Sequence, residues 1–325
     1  MSDEIETAAD AVQHGPGRGA ERPSDYSLRA WFTILKRVWA ESNEDRVLLV
    51  AGGVTFYLLL ALFPALAAFV SIYGFVADPR TVADHIAFLG GLLPAGGLEL
   101  IEQQLRAITR QDADALTIGF YTGLAIALWS ANNGIKALFE AMNIAYEETE
   151  KRGFLALNLR SGLFTLGAIV IAIAFLLTVG IVPAMLALIN LDHMVDSLVR
   201  VLRWPVMLVV VAAGISVLYR YGPSREHAKW RWLTWGACIA TVVWITTSIG
   251  FSYYLQNFAD YNATYGSLGA VIGFMMWVWI SVIVLILGAE INAEMEHQTA
   301  RDTTTGPTEP MGSRGAVVAD TVAKD

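Results

Sequence analysis

The stretch FSYYLQNFADYNATYGSLGAVIGFMMWVWISVIVLILGAEINAEME, residues 251–296, decides the fold. From Tyr261 to Ala289 it carries no charge, and as a helix that run crosses the roughly 30 Å of hydrocarbon in a bilayer. Gly266, Gly269 and Gly273 fall within an arc of about 60° at 100° per residue, a seam along which a second helix can approach. At the far end Glu290 stands where lipid gives way to water, and an ionisable group there can snorkel, pair with an arginine of a neighbouring span end such as Arg160 or Arg220, or line a polar path.

Composition agrees with that stretch. The 325 residues are 55% hydrophobic and 16% charged, with a mean hydropathy of +0.50, and the apolar residues come in blocks. This is the signature of a membrane protein. A formal net charge of −8 argues against a nucleic-acid partner, which needs concentrated basic surface. Cys238 is the single cysteine, which excludes disulfides within the chain and thiolate metal sites; it reads as a small core residue. Residues 1–46 hold no apolar leader, so no cleaved signal is expected and the first span acts as its own anchor.

Working outward, residues 1–23 are polar and rich in Gly and Pro, and read as a disordered cytoplasmic tail. In residues 24–46 Leu28, Trp31, Phe32, Leu35, Val38 and Trp39 recur at three- and four-residue steps, an amphipathic helix suited to the membrane interface. Six uncharged runs then follow, at about 47–77, 115–135, 161–191, 204–219, 232–259 and 261–289. Pro64 and Pro183 lie inside the first and third and predict bends. Residues 78–114 form an outer loop whose 86–98 portion is too short and broken to span. Residues 291–325 are a helix end followed by a tail rich in Thr, Gly and Pro, expected to be disordered.

Lysine and arginine orient the bundle. With six spans and the N-terminus inside, 17 basic residues fall on the cytoplasmic side against 5 outside, as the positive-inside rule requires. The expected fold is therefore all-α and polytopic, with six transmembrane helices and both ends in the cytosol.

Several segments carry a resemblance: FYLLLALFPAL (56–66), LWSANNGIKALFEAMNIAY (128–146), RWP (203–205), LYRYGP (218–223), NFADYNATYGSLGAVIGFMMWVW (257–279) and LGAEINAE (287–294). They resemble the YihY / virulence factor BrkB family, also labelled ribonuclease BN-like, and the pattern from Tyr261 to Gly269 is the most specific piece. The resemblance implies a multi-pass protein of the bacterial inner membrane linked to transport or envelope resistance. It supplies no catalytic residues.

The remaining polar groups offer few candidates for a site. The histidines, His14, His85, His193, His227 and His297, are not paired at ligand spacing, so a metal-dependent ribonuclease is disfavoured and neither metal nor cofactor is expected. Glu294-x-x-His297 has the spacing of half a di-iron motif, but no second such motif exists, and both residues are expected to face water. Asn132 and Asn133 in the second span and Tyr57 in the first are, with Glu290, the candidate polar path or helix–helix contacts. The leading reading is a permease for an amphipathic or lipid-like solute with membrane lipids as partners; the alternative is a scaffold that moves nothing. Oligomerisation is open.

Overall fold

In the computed structural model the described residues are 17–76, 113–176, 193–257 and 269–323. Among them the regular structure is helical: α1 (Leu28–Glu44), α2 (Val47–Val76), α3 (Ala113–Ala145), α4 (Phe154–Leu176), α5 (His193–Tyr221), α6 (Trp230–Asn257), α7 (Gly269–Gln298) and a short α8 (Val317–Asp320). A 3-10 turn, Pro23–Asp25, precedes α1. The described part of each of the six uncharged runs falls on one of α2 to α7. Phe154–Ala174, Trp230–Leu255 and Val271–Gln298 are long and apolar enough to cross a membrane, and the bent pair Leu28–Glu44 and Val47–Leu62 passes the same test if taken as one. Pro64 lies within α2, whereas Pro183, Gly266 and residues 86–98 lie outside the described residues.

On α4 an apolar stripe faces outward. Leu159, Leu163, Leu166, Val170 and Ile173 follow one stripe of α4 at three- and four-residue steps, and all are exposed. So large an uncovered stripe marks a surface that meets lipid or a partner. Cys238 is exposed on α6, so it is not the core residue its apolar neighbours suggested.

The chain divides into two compact units, the first comprising Met1–Val50, Leu138–Trp244 and Ile283–Asp325, the second Ala51–Ala137 and Ile245–Val282. In the first unit, Ser27 caps α1 by accepting from the Ala30 N–H at 3.2 Å. Ala30, Ile34 and Val38, four residues apart, turn inward and pack with Tyr26, Trp232, Ile291 and Met295. Leu28, Phe32, Leu35 and Trp39 remain exposed. The single apolar face expected of this helix is thus two faces, with Val38 on the packed one. After α1 the chain turns sharply at Arg46, whose φ of 52° is left-handed and unusual outside glycine.

Residues 299–323, expected to be disordered, are instead folded onto this unit. Ala228 and Thr304 form an isolated antiparallel bridge, flanked by Lys229 N–H to Thr303 O at 2.8 Å and Thr305 N–H to His227 O at 2.8 Å. The buried Arg314 guanidinium donates to the carbonyls of Ala319 at 2.7 Å and Ala300 at 3.0 Å. Arg18, also buried, donates to Ala323 O, and Val317 N–H donates to Glu148 Oε1 at 2.8 Å. A segment without apolar periodicity is therefore held by arginines that satisfy backbone carbonyls, a device that composition does not reveal. Gly315, at φ 69°, makes the turn that brings its carbonyl to the Glu226 N–H.

In the second unit Gly134 of α3 lies against α2, and a Cβ there would meet Leu58 Cδ2 at 2.9 Å. Trp277 of α7 donates to Ser248 Oγ of α6 at 3.2 Å. Thr55 is buried and bonds back to Ala51 O at 2.7 Å, the ordinary solution for a hydroxyl inside an apolar helix.

Candidate functional site

The polar end of α7 is where ionisable groups converge. Glu290, Asn292, Glu294, Glu296 and Gln298 are all at most 4% exposed. A helix whose charged end is buried on every side needs a partner for each group, and three of the four polar clusters here have one.

Glu296 is held by Arg225 in a fork of two bonds, Nη2 to Oε2 at 2.7 Å and Nη1 to Oε1 at 3.3 Å. Thr303 Oγ1 adds a third bond to Oε2 at 2.7 Å, and the guanidinium lies 4.9 Å from the centre of the Tyr146 ring. Burial pushes the Arg225 pKa down, but the Glu296 carboxylate more than offsets it, and the net direction is up. Glu294 pairs with Arg37 of α1, whose Nη2 also donates to Gln298 Oε1 at 2.6 Å. Asn292 receives the Gly236 N–H of α6 at 2.9 Å and donates to Leu233 O at 3.3 Å.

That last pair depends on two facing glycines. A Cβ on Gly236 would lie 2.3 Å from Asn292 Oδ1 and 2.5 Å from Gly288 O, and one on Gly288 would lie 2.2 Å from the Tyr219 hydroxyl. The Tyr219 hydroxyl itself donates to Leu285 O at 2.8 Å. The close crossing of α6 and α7 is therefore at Gly236 and Gly288. At Gly273, in the expected seam, the nearest atoms to a Cβ are those of Leu255 at 3.9 Å, an ordinary contact; Gly269 is buried.

Glu290 is the fourth cluster. It is 2% exposed, and its Oε1 receives no donor among the described residues. Neither Arg160 nor Arg220 takes the expected pairing role. Arg220 instead donates to Ala228 O at 2.5 Å and stacks 4.6 Å from the Trp230 ring centre. Glu294 and His297 do not face water as expected, because Arg37 and residues 299–323 cover this end; His297 Nδ1 stands 3.9 Å from Glu294 Oε1. Among the described residues no group of three or more His, Cys, Asp or Glu is placed to hold a metal ion.

A collar of loops flanks the site. Burial opposes ionisation of Glu150, but bonds from the Arg152 side chain and N–H and from Asn143 hold it down at about 2. Arg152 also reaches Gly222 O at 2.8 Å, and Asn143 Oδ1 accepts the Ser224 N–H at 2.7 Å. These bonds tie the turn after α3 to the turn after α5. Of the other candidates, Asn132 and Asn133 are half-buried on α3. Asn132 Oδ1 is itself buried with no partner among the described residues, as is Ser130 Oγ. Two residues apart, they point to opposite sides of the helix. Tyr57 is 40% exposed and packs edge-on against Phe56 at 5.5 Å.

The virulence factor BrkB family profile matches residues 38–311. The chain is 34% identical over 248 residues to the ribonuclease-like protein YfkH of Bacillus subtilis (strain 168), covering 75% of this chain and 88% of that one. It is 25% identical over 269 residues to a UPF0761 membrane protein of Idiomarina loihiensis, covering 81% and 91%. It is 23% identical over 274 residues to a UPF0761 membrane protein of Vibrio vulnificus, covering 83% and 85%. No solved structure matches.

Proposed function

The chain belongs to the virulence factor BrkB family of membrane proteins, and from that premise we propose that it is a permease for an amphipathic or lipid-like solute. In this reading it is a multi-pass protein of the inner membrane with six spans, both ends in the cytosol, no catalytic activity and no cofactor. The observation that carries it is Asn132: an amide oxygen buried in the second unit with no partner among the described residues. A buried polar atom left unmatched costs about 1–3 kcal/mol, and within membrane helices such groups mark the paths of solutes. The ribonuclease-like name of the Bacillus relative is not carried over. A net charge of −8, which gives little basic surface for RNA, supports leaving it aside.

Purified protein in liposomes, assayed for movement of a fluorescent lysophospholipid between leaflets, tests the reading. The wild type is expected to move the probe faster than empty vesicles. Asn132→Leu should slow it about tenfold, the equivalent of one lost hydrogen bond of roughly 1.4 kcal/mol, while leaving the protein monodisperse. Flux equal to empty vesicles overturns the proposal. The second reading, a scaffold that moves nothing, is favoured by the uncovered apolar face of α1 (Leu28, Phe32, Leu35 and Trp39); absence of flux together with a cross-linked protein partner would establish it.

A further inference from the structure

We propose that the outward face of α1 is a docking surface for anionic phospholipid, with Leu28, Phe32, Leu35 and Trp39 seated at the acyl boundary of one leaflet and Arg29 and Lys36 on its headgroup phosphates. This surface needs no transport; it requires only that α6 and α7 cross a membrane.

Exposure defines the face. Its four apolar side chains are 90%, 72%, 51% and 76% exposed in chain order, and at 100° per residue they share an arc of about 60°. The packed residues of the same helix, Ala30, Ile34 and Val38, turn away from that arc onto Trp232, Ile291 and Met295.

Placement favours lipid as the occupant. Trp232 stands in the first turn of α6, and Ile291 and Met295 lie near the end of α7. Trp31 of α1 lies 6.0 Å from Trp235 of α6, ring centre to ring centre, and Trp235 is itself partly exposed. Both helices are long and apolar enough to span. α1 is thus strapped across the ends of two spans, at the depth where a helix leaves the hydrocarbon and tryptophan rings collect. An apolar stripe held at that depth is covered by acyl chains.

Charge selects the lipid. From Leu28 to Ala40 the charged residues are Arg29, Lys36 and Arg37, without a carboxylate among them, in a chain whose net charge is −8. Arg37 turns inward to Glu294. Arg29 and Lys36 are exposed and lie about 40–60° further round the helix than the stripe, where their flexible stems carry the charge up to phosphate. The acids of α1, Glu41 and Glu44, follow the stripe in sequence and fall on other sides of the helix. Each cation at an anionic leaflet strengthens binding roughly fivefold.

The test uses the full-length protein in a Cys238→Ser background, with a fluorophore on Phe32→Cys and Leu28, Leu35 and Trp39 left in place. Nanodiscs carry the same fraction of either brominated phosphatidylglycerol or brominated phosphatidylcholine, whose acyl bromines quench a dye only at close range. Both should quench the label at Phe32, the anionic lipid more strongly, and a label on Glu44→Cys, exposed elsewhere on α1, should be quenched less. Arg29→Gln/Lys36→Gln should lower the preference for the anionic lipid by roughly fivefold for each cation removed, with the melting temperature of the parent. Equal quenching by the two lipids before those substitutions overturns the anionic selectivity. A Phe32 label that neither lipid quenches overturns lipid docking, and the face then belongs to a protein, as the scaffold reading has it. The lipid comparison is made with both cations present, so a double variant that fails to fold does not rescue the proposal. No flux is measured, so failure here and failure of the transport reading are separate results.

Discussion

Gly236→Ala is expected to leave little or no folded, monodisperse protein, whereas Gly273→Ala, on the seam that sequence periodicity favours, should behave as the wild type. The added methyl at Gly236 would sit 2.5 Å from the Gly288 carbonyl, which is backbone and has nowhere to go. It would also displace Asn292 Oδ1 from the Gly236 N–H it now accepts. Overpacking of this kind costs about 1–3 kcal/mol and more where a hydrogen bond is lost with it, so a total of about 3 kcal/mol or more is expected. At Gly273 the nearest atoms are 3.9 Å away, and replacing glycine by alanine inside a helix favours the helix by up to about 1 kcal/mol. Size-exclusion profiles and thermal melts of the two variants in detergent give the comparison. If Gly236→Ala melts with the wild type, the helices do not cross there.

Arg225→Met should be equally severe for an electrostatic reason. Glu296 is fully buried, and without the guanidinium its charge would keep, among the described residues, only the Thr303 hydroxyl as a donor. Breaking one partner of a buried ion pair costs about 3–5 kcal/mol. The double variant Arg225→Met/Glu296→Leu should recover most of that loss, since no charge is then stranded. A single variant with an unchanged melting temperature, or a double variant no better than the single, would show that the pair does not hold this end together.

The membrane class and the helices were legible because both depend on local composition. Charge-free runs mark α2 to α7, and the segments quoted for the family resemblance fall within the 38–311 match or overlap it throughout. What failed depended on partners far away in the chain. Gly288 and Gly236 are isolated glycines in sequence, and only their meeting across two helices makes either indispensable. Glu294 and His297 look like a solvated helix end until Arg37 is brought against the first and Thr321 and Ala323 against the second. The segment 299–323 has the composition of a disordered tail because its order comes from arginine bonds to carbonyls, with Arg314 as the hub. For Glu290 the sequence suggests an arginine as partner, but Arg220 is taken up by Ala228 O, a backbone group with no signal in the sequence.

In the proposed topology lipid is the solvent for these helices, and the charged turns and the folded tail share one side of the membrane. Single cysteines at Lys151, Lys229 and Glu309, each in a Cys238→Ser background, can be challenged in intact cells with a thiol reagent that does not cross the inner membrane. All three should stay unlabelled until the membrane is opened, while a cysteine at Arg106, in the segment that the proposed topology puts outside, should label at once. Labelling of Lys151→Cys or Lys229→Cys in intact cells would contradict the account.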